Sequence, residues 1–136
     1  MIYILDACAL IALFKKERGA DKVKFLLDEA LAGQSVVYMN TINLIEVHYC
    51  FYRTLGQEKS NLLLEQIYKM PVHFINTVDE TIFSETSRLK AQYAIPLGDS
   101  IGLATAIKMN GTFVTSDHSD FEVIEEKEDL KFFWFR

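Results

Sequence analysis

Ile2-Tyr3-Ile4-Leu5-Asp6 decides how the chain is read. The first four residues are apolar and β-prone with no polar alternation, the pattern of a strand covered on both faces in a parallel sheet. The run stops at an acid. In open α/β sheets ligands sit beyond the carboxyl ends of the strands, so an aspartate at that point is placed for chemistry. Asp6 also suits the N-cap of a helix starting at Ala7, because its side-chain oxygen accepts a free backbone N–H.

Working outward, strands and helices alternate. Leu10, Ile11, Leu13 and Phe14 recur at helical spacing until Lys15-Lys16-Glu17-Arg18-Gly19 breaks the pattern. A second amphipathic stretch runs from Ala20 to about Ala32. Ser35 to Met39 reads as a strand, and Asn40 or Thr41 can cap a helix carrying Ile42, Ile45, Glu46 and Tyr49. Gly56 separates it from a helix at Gln57 to Lys69, followed by Pro71 and a strand at Val72 to Ile75. Asp79 can cap a helix reaching about Tyr93. Ile95 to Asp99 then forms a turn into a small-residue helix, Ser100 to Met109. Thr112 to Thr115 is the next strand, Ser116 to Phe121 a polar turn, and Lys131 to Phe135 a last strand. The expected fold is one α/β domain over residues 1–136, its mostly parallel sheet of about four to five strands flanked by helices on both faces.

Composition narrows the function. Of the 136 residues 50% are hydrophobic and 24% charged, enough for a buried core without disulfides or a structural metal. Cys8 and Cys50 lie in apolar surroundings with no C-x-x-C spacing, which predicts reduced thiols in a cytoplasmic protein. The stretch from Met1 to Phe14 contains Asp6, has no basic leader and is too short to span a bilayer, so no membrane partner is expected. A net charge of -5 opposes broad binding to a phosphate backbone through a basic face. If the substrate is nucleic acid, metal ions must offset the carboxylates.

Asp6 and Asp117 both follow strands, Glu46 falls about one turn into the helix after the second strand, and Asp99 stands at the entrance of the helix before the fourth. All four can reach one rim of the sheet. Like charges brought that close repel unless protons or cations intervene. Mg²⁺ and Mn²⁺ take oxygen ligands and leave positions open for water and phosphate, whereas no His/Cys spacing suggests zinc. Two such ions about 4 Å apart promote in-line phosphodiester hydrolysis. The candidate catalytic residues are therefore Asp6, Glu46, Asp99 and Asp117, and the candidate metal ligands are the same four with Asp120, which competes with Asp117 for the fourth place.

Four segments together carry a family resemblance: Ile4-Leu5-Asp6-Ala7-Cys8-Ala9-Leu10, Asn43-Leu44-Ile45-Glu46-Val47, Pro96 to Ala106, and Val114-Thr115-Ser116-Asp117-His118-Ser119-Asp120-Phe121. Their order and spacing resemble PIN domains, and among them the VapC toxins of toxin–antitoxin pairs. The resemblance implies an Mg²⁺- or Mn²⁺-dependent endoribonuclease acting on single-stranded or structured RNA, a homodimer, and a small cognate antitoxin that blocks the site. The matching acids would bind metal and orient the attacking water. One departure lies after the first aspartate, where the family often carries Ser, Thr or Asn and this chain has Ala7-Cys8.

Other residues have bland readings beside functional ones. Thr115 and Ser116 could contact phosphate or serve the turn, and His48 and His118 could move protons or be structural. Lys15, Lys16 and Arg18 could guide RNA, although cations suit a helix C-terminus in any case. Tyr49, Phe51, Tyr52 and Arg53 could be interface or core, and the acidic run Glu122 to Asp129 reads as a solvated surface. Three alternatives remain open. One is a PIN-like module that binds RNA or protein without cutting. A receiver-type phospho-acceptor domain lacks its early paired acids and late strand-end lysine here. A haloacid dehalogenase-type phosphatase needs an acid at the position of Cys8.

Overall fold

The computed structural model describes residues 1–136. Strand β1 (Ile2–Leu5) lies at the centre of a five-stranded sheet ordered β3-β2-β1-β4-β5. Every neighbouring pair is parallel, so the expected "mostly parallel" sheet is wholly so. The alternate side chains of β1 divide between two cores. Tyr3 and Leu5 join one with α1 (Ala7–Lys15), α2 (Ala20–Leu31), α3 (Thr41–Leu55) and α4 (Gln57–Tyr68). Ile4 joins the other with α5 (Glu80–Gln92), α6 (Leu97–Met109) and α7 (His118–Lys127). This is why β1 shows no polar alternation.

Strands β2 (Val36–Asn40) and β3 (His73–Ile75) extend the sheet on one side of β1, and β4 (Thr112–Thr115) and β5 (Lys131–Trp134) on the other. The strand order therefore reverses direction at β1, and the crevice where ligands bind in such sheets opens beyond its carboxyl end and that of β4. Asp6 and Asp117 follow those two ends.

Local chemistry fixes the helix starts. Asp6, Asn40, Asp79 and Asp117 each accept a backbone N–H at a helix N-terminus, on Ala7, Ile42, Ile82 and Asp120. Between the two expected caps for α3, the residue that serves is Asn40. Gly19 precedes α2 with φ 89°, and a Cβ there would lie 2.3 Å from the Phe135 carbonyl oxygen, so only glycine fits.

Two expectations need correction. Helix α6 starts at Leu97, not Ser100, so Asp99 lies inside the first turn and is not a cap; Pro96 precedes the helix and makes no side-chain cap. The segment expected as a polar turn at Ser116 to Phe121 continues as α7, because Asp117 caps it and Phe121 and Ile124, three residues apart, bury one face. Helix α6 itself is buried from Ser100 through Ala106, and its Gly and Ala residues let it lie close to the sheet and to α3 and α5. No helix is long and apolar enough to cross a membrane.

Candidate metal centre

Four of the five singled-out acids open on one cavity. Glu46 of α3, Asp99 of α6, and Asp117 and Asp120 at the start of α7 line a depression of about 380 Å³ together with Ile42, Ile45, Tyr49, Pro96 and Gly98. Carboxylate oxygens of Asp99, Asp117 and Asp120 all lie within 4.8 Å of one another. The lining holds no Lys, Arg or His.

Asp6 is 4% exposed and forms no wall of the cavity. Its Oδ1 accepts the Ala7 backbone N–H at 2.8 Å, the capping role expected of it. Its Oδ2 accepts the Thr115 hydroxyl at 2.8 Å and faces the Cys8 thiol at 3.3 Å. The Thr115 Oγ1 in turn accepts the Asp117 backbone N–H at 3.2 Å, so one hydroxyl links the acids after β1 and β4. Thr115 is fully buried, which separates it from a direct phosphate contact and makes its role the orientation of Asp6. Cys8 likewise turns its sulfur toward the same oxygen, so the Ala7-Cys8 departure leaves Asp6 supported. Burial and the Asp6 charge push that thiol up to about 12, which keeps it a neutral donor.

The electrostatics express crowding without neutralisation. Burial raises the Asp6 carboxyl to about 6; the hydrogen bonds from Thr115, Cys8 and Ala7 pull it back and the Glu46 charge adds to the rise. Asp99 is raised further, first by burial, then by the Asp6 charge, by a hydrogen bond shared with Asp120, and by the charges of Asp120 and Glu46. Burial also raises Glu46, and burial followed by the Asp117 charge raises Asp120.

Asp117 and Asp120 are thus not rivals: both belong to the cluster. Asp117 spends one oxygen, Oδ1, on Ser119 Oγ at 2.8 Å and on the Asp120 backbone N–H at 3.2 Å. Its carboxylate also lies against that of Asp120, whose proton affinity it raises.

Several of the functional alternatives resolve to structural roles. His118 stacks on Trp134 at 4.1 Å and bonds Glu122 and the Arg136 carbonyl, while His48 pairs with Asn61 on the α3–α4 surface. Of the aromatic group, Phe51 is core, whereas Tyr49 and Tyr52 are exposed, with Arg53 lying over the Tyr49 ring at 4.8 Å. Lys15 at the end of α1, and Lys16 and Arg18 just beyond it, are exposed and line none of the acid cavity. Sequence reasoning passed over Asn43, a fully buried amide one turn before Glu46. Its signal was a polar residue on the apolar face of a helix.

A parallel α/β sheet with a carboxylate-lined crevice at its switch point defines a class of acid-site domains. Within that class the chain belongs to the PIN domain family, whose pattern matches residues 3–127. No curated protein sequence matches it. Solved structures share the fold at low identity. One chain from the VapBC2 complex of Rickettsia felis bound to a promoter DNA fragment has TM-score 0.78 and 22% identity, covering 98% of each chain. A chain of VapBC-1 from nontypeable Haemophilus influenzae has TM-score 0.75 and 23% identity, covering 99% of this chain and 98% of that one. The sarcin-ricin loop cleaving toxin VapC20 of Mycobacterium tuberculosis has TM-score 0.63 and 13% identity, covering 88% of this chain and 93% of its own. The fold is thus VapC-like along nearly its whole length.

Proposed function

We propose that the chain is a divalent-metal-dependent endoribonuclease, the toxin of a toxin–antitoxin pair. The observation that carries this reading is the cavity itself: four carboxylates and no basic side chain on its walls. Such a donor set fits Mg²⁺ or Mn²⁺, which take oxygen ligands. It has no stabilising role of its own, because burial first, and then the neighbouring carboxylate charges, raise the proton affinity of Asp99 and Asp120.

Asp99, Asp117 and Asp120 would hold the ion, with Glu46 on the facing helix and Asp6 adding charge from within. A bound divalent cation supplies positive charge to a phosphate and acidity to a water. The chain's own residues fix the acids. Thr115 and Cys8 orient Asp6, and Asp117 fixes one oxygen at the α7 terminus. Ile42, Ile45 and Tyr49 form an apolar wall that narrows the approach. Hydrolysis then places a water oxygen on phosphorus while the opposite P–O bond breaks and the leaving oxygen takes a proton.

RNA as substrate is supported by the family and by the cleaving activity in the name of the Mycobacterium tuberculosis neighbour. An antitoxin partner is supported by neighbours drawn from VapBC complexes. Homodimerisation and a cytoplasmic location complete the proposal. Incubation of purified protein with total RNA and Mn²⁺, followed by mapping of fragment ends, tests it. Discrete cleavage by the wild type and none by Asp6→Asn or Glu46→Gln, both folded by circular dichroism, is expected. Equal cleavage by both variants would overturn the assignment of the chemistry to these acids, and no cleavage by the wild type would leave only a non-cutting binding module.

A further inference from the structure

Asn43 and Asn40 form a polar clasp between the helix that carries Glu46 and the helix that carries Asp99. Asn43 has no exposed surface, and its Nδ2 donates to the Gly98 carbonyl at 3.1 Å, next to Asp99. Asn40, 2% exposed, reaches the same helix farther along, its Nδ2 donating to Thr105 Oγ1 at 3.1 Å. Between the two contacts lies Gly102, where a Cβ would stand 3.0 Å from Phe113 Cε1 and 3.2 Å from Asn43 Oδ1. The two helices approach this closely because position 102 lacks a side chain and position 43 carries a short amide.

The two amides differ in how well they are satisfied. Asn40 Oδ1 accepts the Ile42 backbone N–H at 2.9 Å, so that amide serves both its helix cap and the clasp. Asn43 Oδ1 is buried and accepts nothing. A buried acceptor without a donor is a cost to folding, and an apolar side chain of similar volume in its place removes that cost. The amide at position 43 is therefore badly explained by stability and well explained by geometry.

We infer that Asn43 is a positioning residue: by holding the Gly98 carbonyl it sets the separation of α3 and α6, and with it the placement of Glu46 relative to Asp99. Asn43 is three residues before Glu46 on α3, and its acceptor is one residue before Asp99 on α6. A shift at this joint is passed directly to both carboxylates. The inference rests on the metal-dependent reading of the site, since the Glu46–Asp99 relation matters only if the two act on a common ligand.

The test uses the full chain with Asn43→Leu, which keeps the branched shape, adds bulk and removes the amide, and Asn43→Ser, which relieves any crowding. Three readouts are taken on each: metal-free thermal unfolding, Mn²⁺ affinity by calorimetry, and kcat and KM on a cleaved RNA. Asn43→Leu, in which relief of the unpaired Oδ1 offsets the lost hydrogen bond and the added bulk, is expected to stay folded with at most a small drop in unfolding temperature while Mn²⁺ affinity falls about tenfold and kcat falls with little change in KM. Asn43→Ser is expected to lose affinity similarly. Wild-type affinity and kcat in either folded variant overturns the inference, as does failure of both variants to fold, which would make the amide a stability element. A wild type that neither binds Mn²⁺ nor cleaves RNA overturns the proposed function instead, so the two failures are distinguishable.

Discussion

Two acid-rich regions of this molecule meet opposite fates. At the cavity beyond β1 and β4, Glu46, Asp99 and Asp120 on its walls and Asp6 buried behind them are all raised in proton affinity, and no basic side chain lines the cavity. In the run from Glu122 to Asp129, acids find partners. Arg88 donates to both oxygens of Glu128 at 2.7 and 3.2 Å, and Tyr93 adds a third hydrogen bond at 2.6 Å. Trp134 Nε1 donates to Glu125, and His118 pairs with Glu122. Arg88 and Tyr93 accordingly hold Glu128 below the usual carboxylate range, against burial. Three acids of the denser stretch in the sequence, Glu122, Glu125 and Glu128, thus have partners, whereas the dispersed acids, gathered by the fold, have no basic side chain beside them. Charge counted along a chain does not distinguish these cases; charge counted within a cavity does.

The sharpest way to break the contrast is to remove an acid from each region. If the proposed function holds, Asp99→Asn is expected to lower RNA cleavage at least about a hundredfold, since the variant would lose a carboxylate proposed to hold the ion. Glu128→Gln should leave cleavage unchanged. Rates of fragment release from one RNA under saturating Mn²⁺ decide this, and comparable losses in both variants would dissolve the distinction.

A smaller effect is expected where the cluster is held rather than where it binds. Thr115→Val removes the hydroxyl that links Asp6 to the Asp117 backbone, and a loss of about 10- to 100-fold in Mn²⁺ affinity or kcat should follow. Cys8→Ser should retain activity, because a hydroxyl can replace the thiol as donor to Asp6 Oδ2. Loss in Cys8→Ser equal to that in Thr115→Val would mean that sulfur does more than donate.

The two regions also predict opposite pH dependences of stability without metal. Asp6 has a folded-state pKa raised to about 6, so its ionised form is disfavoured in the fold; the associated stability is present at low pH and lost as pH rises through about 6. Asp6→Asn should therefore stabilise the metal-free protein near pH 8 by up to about 3 kcal/mol, and flatten the decline between about pH 4 and pH 7. Glu128 is lowered, so its contribution is present above the ordinary glutamate value and lost as pH falls through the folded one. Glu128→Gln should destabilise by about 1 kcal/mol at neutral pH. Denaturant unfolding across pH with a chelator present checks both signs.

Much of this arrangement was legible before any coordinates. The unalternated β1, the acids that follow β1 and β4, and the strand–helix order led to a doubly covered parallel sheet with the acids on one rim. The errors share a physical cause. The sequence places the start of α6 at Ser100, with Asp99 at its entrance, because the Pro-Leu-Gly run looks like a turn; the helix begins at Leu97 directly after Pro96, which puts Asp99 in its first turn, on the wall of the cavity. Helix α7 was hidden in turn-forming residues, because Ser, Asp and His around a good N-cap look like a loop until Phe121 and Ile124 find the core. Asp117 and Asp120 were set against each other by sequence distance, although a helical turn brings them together. Asn43 left almost no trace, since an amide on an apolar helix face shows its purpose only through the partner at Gly98.

The central claim is that the rim acids are gathered to hold a divalent cation. Calorimetric titration of metal-free protein with Mn²⁺, repeated in two buffers of different ionisation enthalpy near pH 7, tests it most directly. The account predicts saturable binding with net proton release to the buffer, because the raised carboxyls must be deprotonated to ligate the ion, and loss of that binding in Asp99→Asn. Absence of binding in the wild type, or binding of equal strength in Asp99→Asn, would contradict it.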